Sequence, residues 1–212
     1  MGVSMSRAPS TPAFYTFDPI TSDLIDLIPP IQASLGGDHS DLISMCPHSR
    51  DIQNLRQGQE AQFDPATMLY LASGDWGEGG TASKPLDSMA TKEKLGRFPS
   101  DDGNVISYLI SYTRQKGDMA VLHELLAKLC DGLSEENLGE PGFREGFGGM
   151  KLLGWINSSE VRELRTSIRS GRWTALADEP LDGGVDYGFR HLLSVLRSAE
   201  KRGCGILMRM HS

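Results

Sequence analysis

The sequence predicts an α+β fold, predominantly helical, with a small mixed sheet that includes the C-terminal strand. Three observations lead there. Apolar residues recur at spacings of three and four in several segments, most clearly over 121–130 and 185–203. Two short apolar runs, GMKLLGWIN at 149–157 and ILMRMH at 206–211, have the length and composition of strands. Two helical patterns separate those runs, so the C-terminal order is strand, helix, helix, strand.

Size and charge bound the rest. The chain has 212 residues and a net charge of −7. That length supports one sizeable core, so we expect a single α+β domain over 13–212 after a flexible Ser/Pro-rich segment at 1–12. Residues 1–100 carry 7 Lys and Arg against 12 Asp and Glu, and the remainder 14 against 16. Neither half is net basic, which argues against nucleic acid as the partner. Cys46, Cys130 and Cys204 are few and far apart, with no CxxC pair. That usage suits a reducing, cytoplasmic setting. No signal-peptide pattern or long apolar run is present, so neither export nor a membrane partner is expected.

The elements follow in order. In AFYTFDPITSDLIDLIPPI, 13–31, Asp18 and Pro19 read as an N-cap and first helical residue, and Pro29 and Pro30 as the stop. A short helix is expected near 39–45, ended by Pro47. Residues 52–62 are polar and read as a weak helix or a loop. Asp64 and Pro65 open a helix over 63–73. Residues 74–103, rich in glycine and charge, are expected to form a long irregular surface loop with one short helix near 87–95.

Beyond it, 105–117 and 119–132 make an αα-hairpin joined at 116–118. A strand at 149–157 precedes a helix capped by Ser158 or Ser159 and ending at Gly171. A polar link leads to the helix 185–203, with Gly203 just past its end. The final strand places Ile206, Met208 and Met210 on one face. Leu207, Arg209 and His211 lie on the other, with Arg209 as an edge protector.

Several groups carry the residue types of a site. Cys204 and His211 are a nucleophile and a base, but seven residues of strand separate them by roughly 23 Å. Residues 38–48 hold His39, Cys46 and His48, weak metal-ligand candidates without a standard zinc spacing, and the alternative is a capped polar turn with a buried thiol. The glycine-rich stretches 74–80 and 139–149 lack the GK[ST] order of a phosphate loop, so no cofactor is expected. HELLA at 123–127 has Ala127 where a helical zinc hydrolase needs its second histidine. Arg162, Arg165, Arg169 and Arg172 recur at three and four as a basic stripe, which serves either as a salt-bridged solvent face or as a contact for an acidic partner. Trp76 and Trp173 fall in loops and are further binding candidates.

Two stretches carry a family likeness: GWINSSEVRELRTSI, 154–168, and DYGFRHLLSVLRSAEKRGCGILMRM, 186–210. Their strand, Ser/Glu-opened helix, acidic link, long helix and closing strand resemble the uncharacterised bacterial YfbM-like proteins of unknown function. The likeness covers the C-terminal third. It implies an α+β fold with no established activity and carries over no catalytic residue. Arg209 departs from the less polar final strand of that group.

Two functions stand beside each other. The first is a soluble, non-catalytic protein-interaction module, of which an antitoxin- or immunity-like protein is one form. The second is a small hydrolase or transferase with a loop-assembled site, for which Cys46, His48 and Asp75 are the catalytic candidates. The discriminating observation is whether any histidine reaches a carboxylate or thiol in space.

Overall fold

A computed structural model describes residues 14–46, 55, 57–60, 62–77, 80–81, 84–86, 103–116 and 121–211. The N-terminal segment 1–12 and His48 lie outside these residues. So do five of residues 52–62, the short helix expected near 87–95, and most of the rest of the expected loop at 74–103.

A three-stranded sheet organises the protein. Strand β5 (Gly205–His211) lies between β1 (Phe14–Ile20) and β3 (Met150–Ile156), antiparallel to both. The two apolar runs of the sequence, 149–157 and 206–211, therefore pair with each other. Alternation along the strands sends side chains to opposite faces. Tyr15, Phe17, Ile156, Ile206 and Met208 join one hydrophobic cluster, while Ile20, Leu152, Trp155 and Leu207 join another. Helices α4 (Val105–Tyr112), α5 (Val121–Asp131), α7 (Ser158–Arg169) and α8 (Gly184–Arg202) cover the first face. Helices α1 (Leu24–Leu35), α2 (Ser40–Met45) and α3 (Pro65–Ser73) cover the second. A one-turn helix α6 (Glu135–Leu138) follows α5.

Both outer strands are covered, which removes the open edges a small sheet would expose. On β1, the Phe17 and Pro19 carbonyls accept from the N–H groups of Leu86 (2.8 Å) and Asp75 (3.1 Å). On β3, Leu152 N–H donates to Arg144 O (2.7 Å), and Leu153 O accepts from Leu133 N–H (2.9 Å). A bulge at Leu153 shifts the β3–β5 register, between Leu152–Arg209 and Gly154–Met208. It turns Gly154 against the C-terminal turn of α5, so closely that a Cβ there would stand 1.9 Å from Lys128 O.

Four local expectations need correction. Residues 14–20 form a strand, and the helix begins later, at Leu24 with Asp23 as its cap. The alternation of aromatic residues at 15 and 17 outweighs the Asp-Pro cap signal, because Tyr15 and Phe17 bury in the core. Pro29 and Pro30 lie inside α1 and do not stop it. They deprive the Ile25 and Asp26 carbonyls of intrahelical donors on an exposed side, while Leu27, Ile28 and Ile31 bury completely or nearly so.

Helix α7 is capped by Asn157, one residue before the expected serines. Asn157 Oδ1 accepts from Ser159 and Glu160 N–H at 3.1 and 3.0 Å, and Glu160 returns a bond to Asn157 N–H at 2.8 Å. The polar link after α7 contains a strand, β4 (Trp173–Ala175), paired with β2 (Thr113–Gln115), which ends the helix expected over 105–117. The C-terminal end of α8 is as expected: Gly203 adopts φ 68°, a conformation that favours glycine.

Candidate functional site

Polar residue types of the kind used in catalysis meet on the sheet face that α3 covers. From β1 come Thr16 and Asp18, from β5 Arg209 and His211, and from α3 Tyr70. Cross-strand pairing sets Thr16 opposite Arg209. Arg209 lies on the central strand and is not an edge protector. Its Nε donates to Asp18 Oδ2, and its Nη2 reaches Asp18 Oδ1 at 3.4 Å. Both side chains are largely withdrawn from solvent, at 15% and 10% exposure. Thr16 Oγ1 adds a bond to Asp18 Oδ2 at 3.3 Å. The guanidinium also stands 5.1 Å from the centre of the Tyr70 ring, a cation–π distance. Tyr70 in turn meets Trp76 edge-on at 5.7 Å. Burial, with Asp18 nearby, pushes the Tyr70 hydroxyl above its ordinary pKa, against the opposing effect of Arg209.

His211 closes this group. Arg209 Nη1 donates to His211 Nε2. An acceptor Nε2 requires the neutral ring with its proton on Nδ1. Burial, followed by the charge of Arg209, lowers the His211 pKa against the attraction of Asp18. His211 is thus held in the strand ladder, opposite Phe14 and Met150.

A histidine pKa depressed by folding sets the sign of a pH effect. Above about pH 6.5 the ring is neutral in both states, and its contribution to stability is complete. As pH falls below that value, the unfolded chain takes up a proton that the folded one resists, and stability declines. Urea unfolding of the wild type should weaken between about pH 7 and 5 more than that of His211→Gln. Parallel pH profiles for the two proteins would contradict this assignment.

A second network lies at the end of β3. Asp23 caps α1 and also accepts from Trp155 Nε1 (2.8 Å) and Asn157 Nδ2 (3.1 Å). Burial works against its charge, but these bonds, with Lys128 nearby, hold its carboxyl below the ordinary range. Lys128 ion-pairs with Glu160 at 2.6 Å and stands 4.6 Å above the Trp155 ring. Every member of this network ties one element to another: α1, α5, β3 and α7 are all held through it.

The residues singled out in the sequence are spread over the fold. Cys46 ends α2, buried, with Sγ 3.3 Å from Ala72 O. Burial pushes its thiol up to about 11, far from a reactive thiolate at neutral pH. His39 Nδ1 meets Ser34 Oγ at 2.7 Å. Asp75 contributes its backbone N–H to the β1 edge. Cys204 is buried at the α8–β5 corner, with its thiol pKa raised by burial and then by Asp75, and it lies at the opposite end of β5 from His211. His123 meets Thr113 Oγ1 at 3.0 Å, and His191 packs edge-on against Tyr187. Among the described residues no three His, Cys, Asp or Glu side chains converge as a metal site. No helix among them is long and apolar enough to cross a membrane.

Trp76 and Trp173 share one arrangement. Each indole N–H donates to the carbonyl five residues earlier, Leu71 O (2.6 Å) and Ile168 O (2.9 Å). Leu71 O is an otherwise orphan carbonyl in the last turn of α3, whereas Ile168 O, in the last turn of α7, also accepts from Gly171 N–H at 3.4 Å. Trp173 also packs on Phe189 at 4.4 Å. In the arginine stripe, Arg165 pairs with Glu200. Arg162, Arg169 and Arg172 are exposed and make no ion pair among the described residues.

Compared with protein-family models, curated proteins and solved structures, the chain matches none. The Asp18–Arg209–His211–Tyr70 group is the site that sequence reading missed. Its signal was present in the polar Thr16 and Asp18 between aromatic residues, and in Arg209 within an apolar strand. The partners are 191 residues apart, and only the β1–β5 pairing joins them.

Proposed function

We propose that this protein is a non-catalytic protein-interaction module. The observation that supports the reading is the way its chemically capable groups are consumed. Asp18 is neutralised by Arg209, and that guanidinium also occupies the His211 nitrogen that would otherwise act as a base. Arg209 reaches both residues and so engages each with its own donor, which removes the carboxylate–histidine contact a general base uses for orientation. The Cys46 and Cys204 thiols are buried and raised in pKa. An antitoxin- or immunity-like protein is the specific form favoured by the net charge of −7, which suits a basic partner.

The test is native mass spectrometry of the protein purified under mild conditions from its own cells. A stoichiometric second polypeptide is the expected result. The alternative, a small hydrolase or transferase, would replace this reading under a different outcome. That outcome is no partner, together with turnover of ester or phosphate substrates that Asp18→Asn abolishes.

A further inference from the structure

Charge is distributed unevenly over the molecule. The stretches 158–172 and 184–203, which contain α7 and α8, hold eight Lys and Arg against four Asp and Glu. The rest of the chain holds thirteen against twenty-four. Two of the four acids are already engaged, Glu160 by Lys128 and Glu200 by Arg165. A basic face thus stands on a strongly acidic body.

The packing of the two helices concentrates it. Helix α7 leaves the end of β3 and α8 leads into the start of β5, and those strand ends pair at Ile156–Ile206. The helices are therefore antiparallel neighbours. The Arg165–Glu200 ion pair and the Trp173–Phe189 contact fix their register. By that register Arg162 lies across from Lys201, and Arg169 falls between Ser194 and Arg197. Arg190 extends the same face toward the far end of the pair, and Arg172 follows α7 just past Gly171, beside the start of β4. All six basic residues are exposed, and none has an ion-pair partner among the described residues. Like charges placed together cost stability in the free protein, and a negatively charged ligand relieves that cost.

We propose that this two-helix arginine face is a docking surface for an acidic segment of a partner polypeptide. The inference rests on the reading of the protein as an interaction module and assigns it a second contact, separate from the acidic body that suits a basic partner. A short acidic segment engages the face alone. A nucleic acid extends beyond it and meets the acidic remainder of the chain, which repels a polyanion. The face also offers no free aromatic platform for bases, since Trp173 is packed on Phe189 with its N–H bonded to Ile168 O.

The experiment is fluorescence anisotropy with a labelled peptide of about sixteen Glu and Ala residues, at about 20 mM and about 150 mM salt. Single-stranded and duplex DNA of similar length serve as comparison probes. Arg169→Gln/Arg197→Gln removes two charges from the face. Ala33→Glu/Ala127→Glu, at exposed positions on α1 and α5, changes net charge equally elsewhere. The expected result is salt-sensitive peptide binding that falls about tenfold in the first variant and less than about twofold in the second. The first variant should also melt about 1 °C or more above the wild type, since its loss of binding comes with relief of repulsion.

Equal losses in both variants, tighter binding of DNA than of peptide, or no peptide binding at low salt would each overturn the proposal. Self-association of the wild type that Arg169→Gln/Arg197→Gln abolishes would also overturn it, by assigning the face to a second copy. A native complex that survives this double substitution would remove the face and leave the interaction reading standing. Absence of any native complex would remove the reading itself.

Discussion

Gly154→Ala should destabilise the protein by about 3 kcal/mol or more, at the upper end for overpacking a core. A Cβ at this position would meet Lys128 O at 1.9 Å, and Gly132 N and Leu129 O at 2.8 Å. All three are backbone atoms of the α5 end, so no side-chain rotation relieves the clash. Either α5 moves off the sheet or β3 loses its bulge. The first separates Leu126 and Leu129 from the core, and the second shifts the alternation of Leu152, Leu153 and Trp155 between the two faces. For a chain of this size the loss corresponds to a fall of roughly 10 °C in the thermal midpoint. Gly148→Ala is the matched control. It sits in an exposed turn at φ 70° with nothing within 4 Å of a Cβ, and should cost only about 1 kcal/mol through backbone strain. Calorimetry of the two variants decides: similar midpoints would mean that close approach to α5 does not hold β3 in place.

Asp18→Ala is the second large effect, at about 3–5 kcal/mol. The substitution leaves the Arg209 guanidinium on the central strand, 15% exposed, with its main countercharge gone. Tyr70 offers a ring face but no negative charge. Removing both partners is different. Asp18→Val/Arg209→Met places apolar groups among Ile20, Leu152 and Leu207, and should recover most of the loss. Urea unfolding of the two variants gives the comparison. A double variant as unstable as Asp18→Ala would show that the pair contributes more than the neutralisation of a buried charge.

Local signals were legible wherever one residue controls one backbone group. Asp64 before Pro65, Gly203 after the last long helix, and the apolar stripes of α5 and α8 could all be read from neighbours in sequence. The errors arose where a local signal competed with burial. Asp18-Pro19 has the form of a helix start, but its backbone is claimed by β5 and its carboxylate by Arg209. The helix of that region takes its cap from Asp23, which looks no stronger in sequence. Asn157 caps α7 ahead of the two serines beside it, and the Asn157–Glu160 spacing of a capping box is a local signal in the sequence.

The candidate site was hardly legible at all. Arg209 interrupts an apolar strand, and in isolation that is the mark of an exposed edge. Strand order reverses the meaning, because β5 is central and its polar positions must find partners inside. The arginine stripe of α7 was readable as a spacing. The basic residues of α8, Arg190, Arg197, Lys201 and Arg202, were readable too, but which of them face the stripe was not, since the antiparallel register comes from contacts across 16 residues or more of chain.

The sequence by itself determined the α+β class, the two strands at the C-terminal end, the helix between residues 184 and 202, and the absence of a standard catalytic or metal-binding motif. Those properties depend on periodicity and short-range chemistry, which neighbouring residues carry. Tertiary structure alone decided that KRGCGILMRMHS ends in the middle strand of a sheet buried on both faces. It also decided that Arg209 neutralises Asp18 and shields His211, and that basic residues of two helices share one face. The reason is physical: a charge takes its role from the partner and the dielectric around it, and here folding brings in both from the far end of the chain.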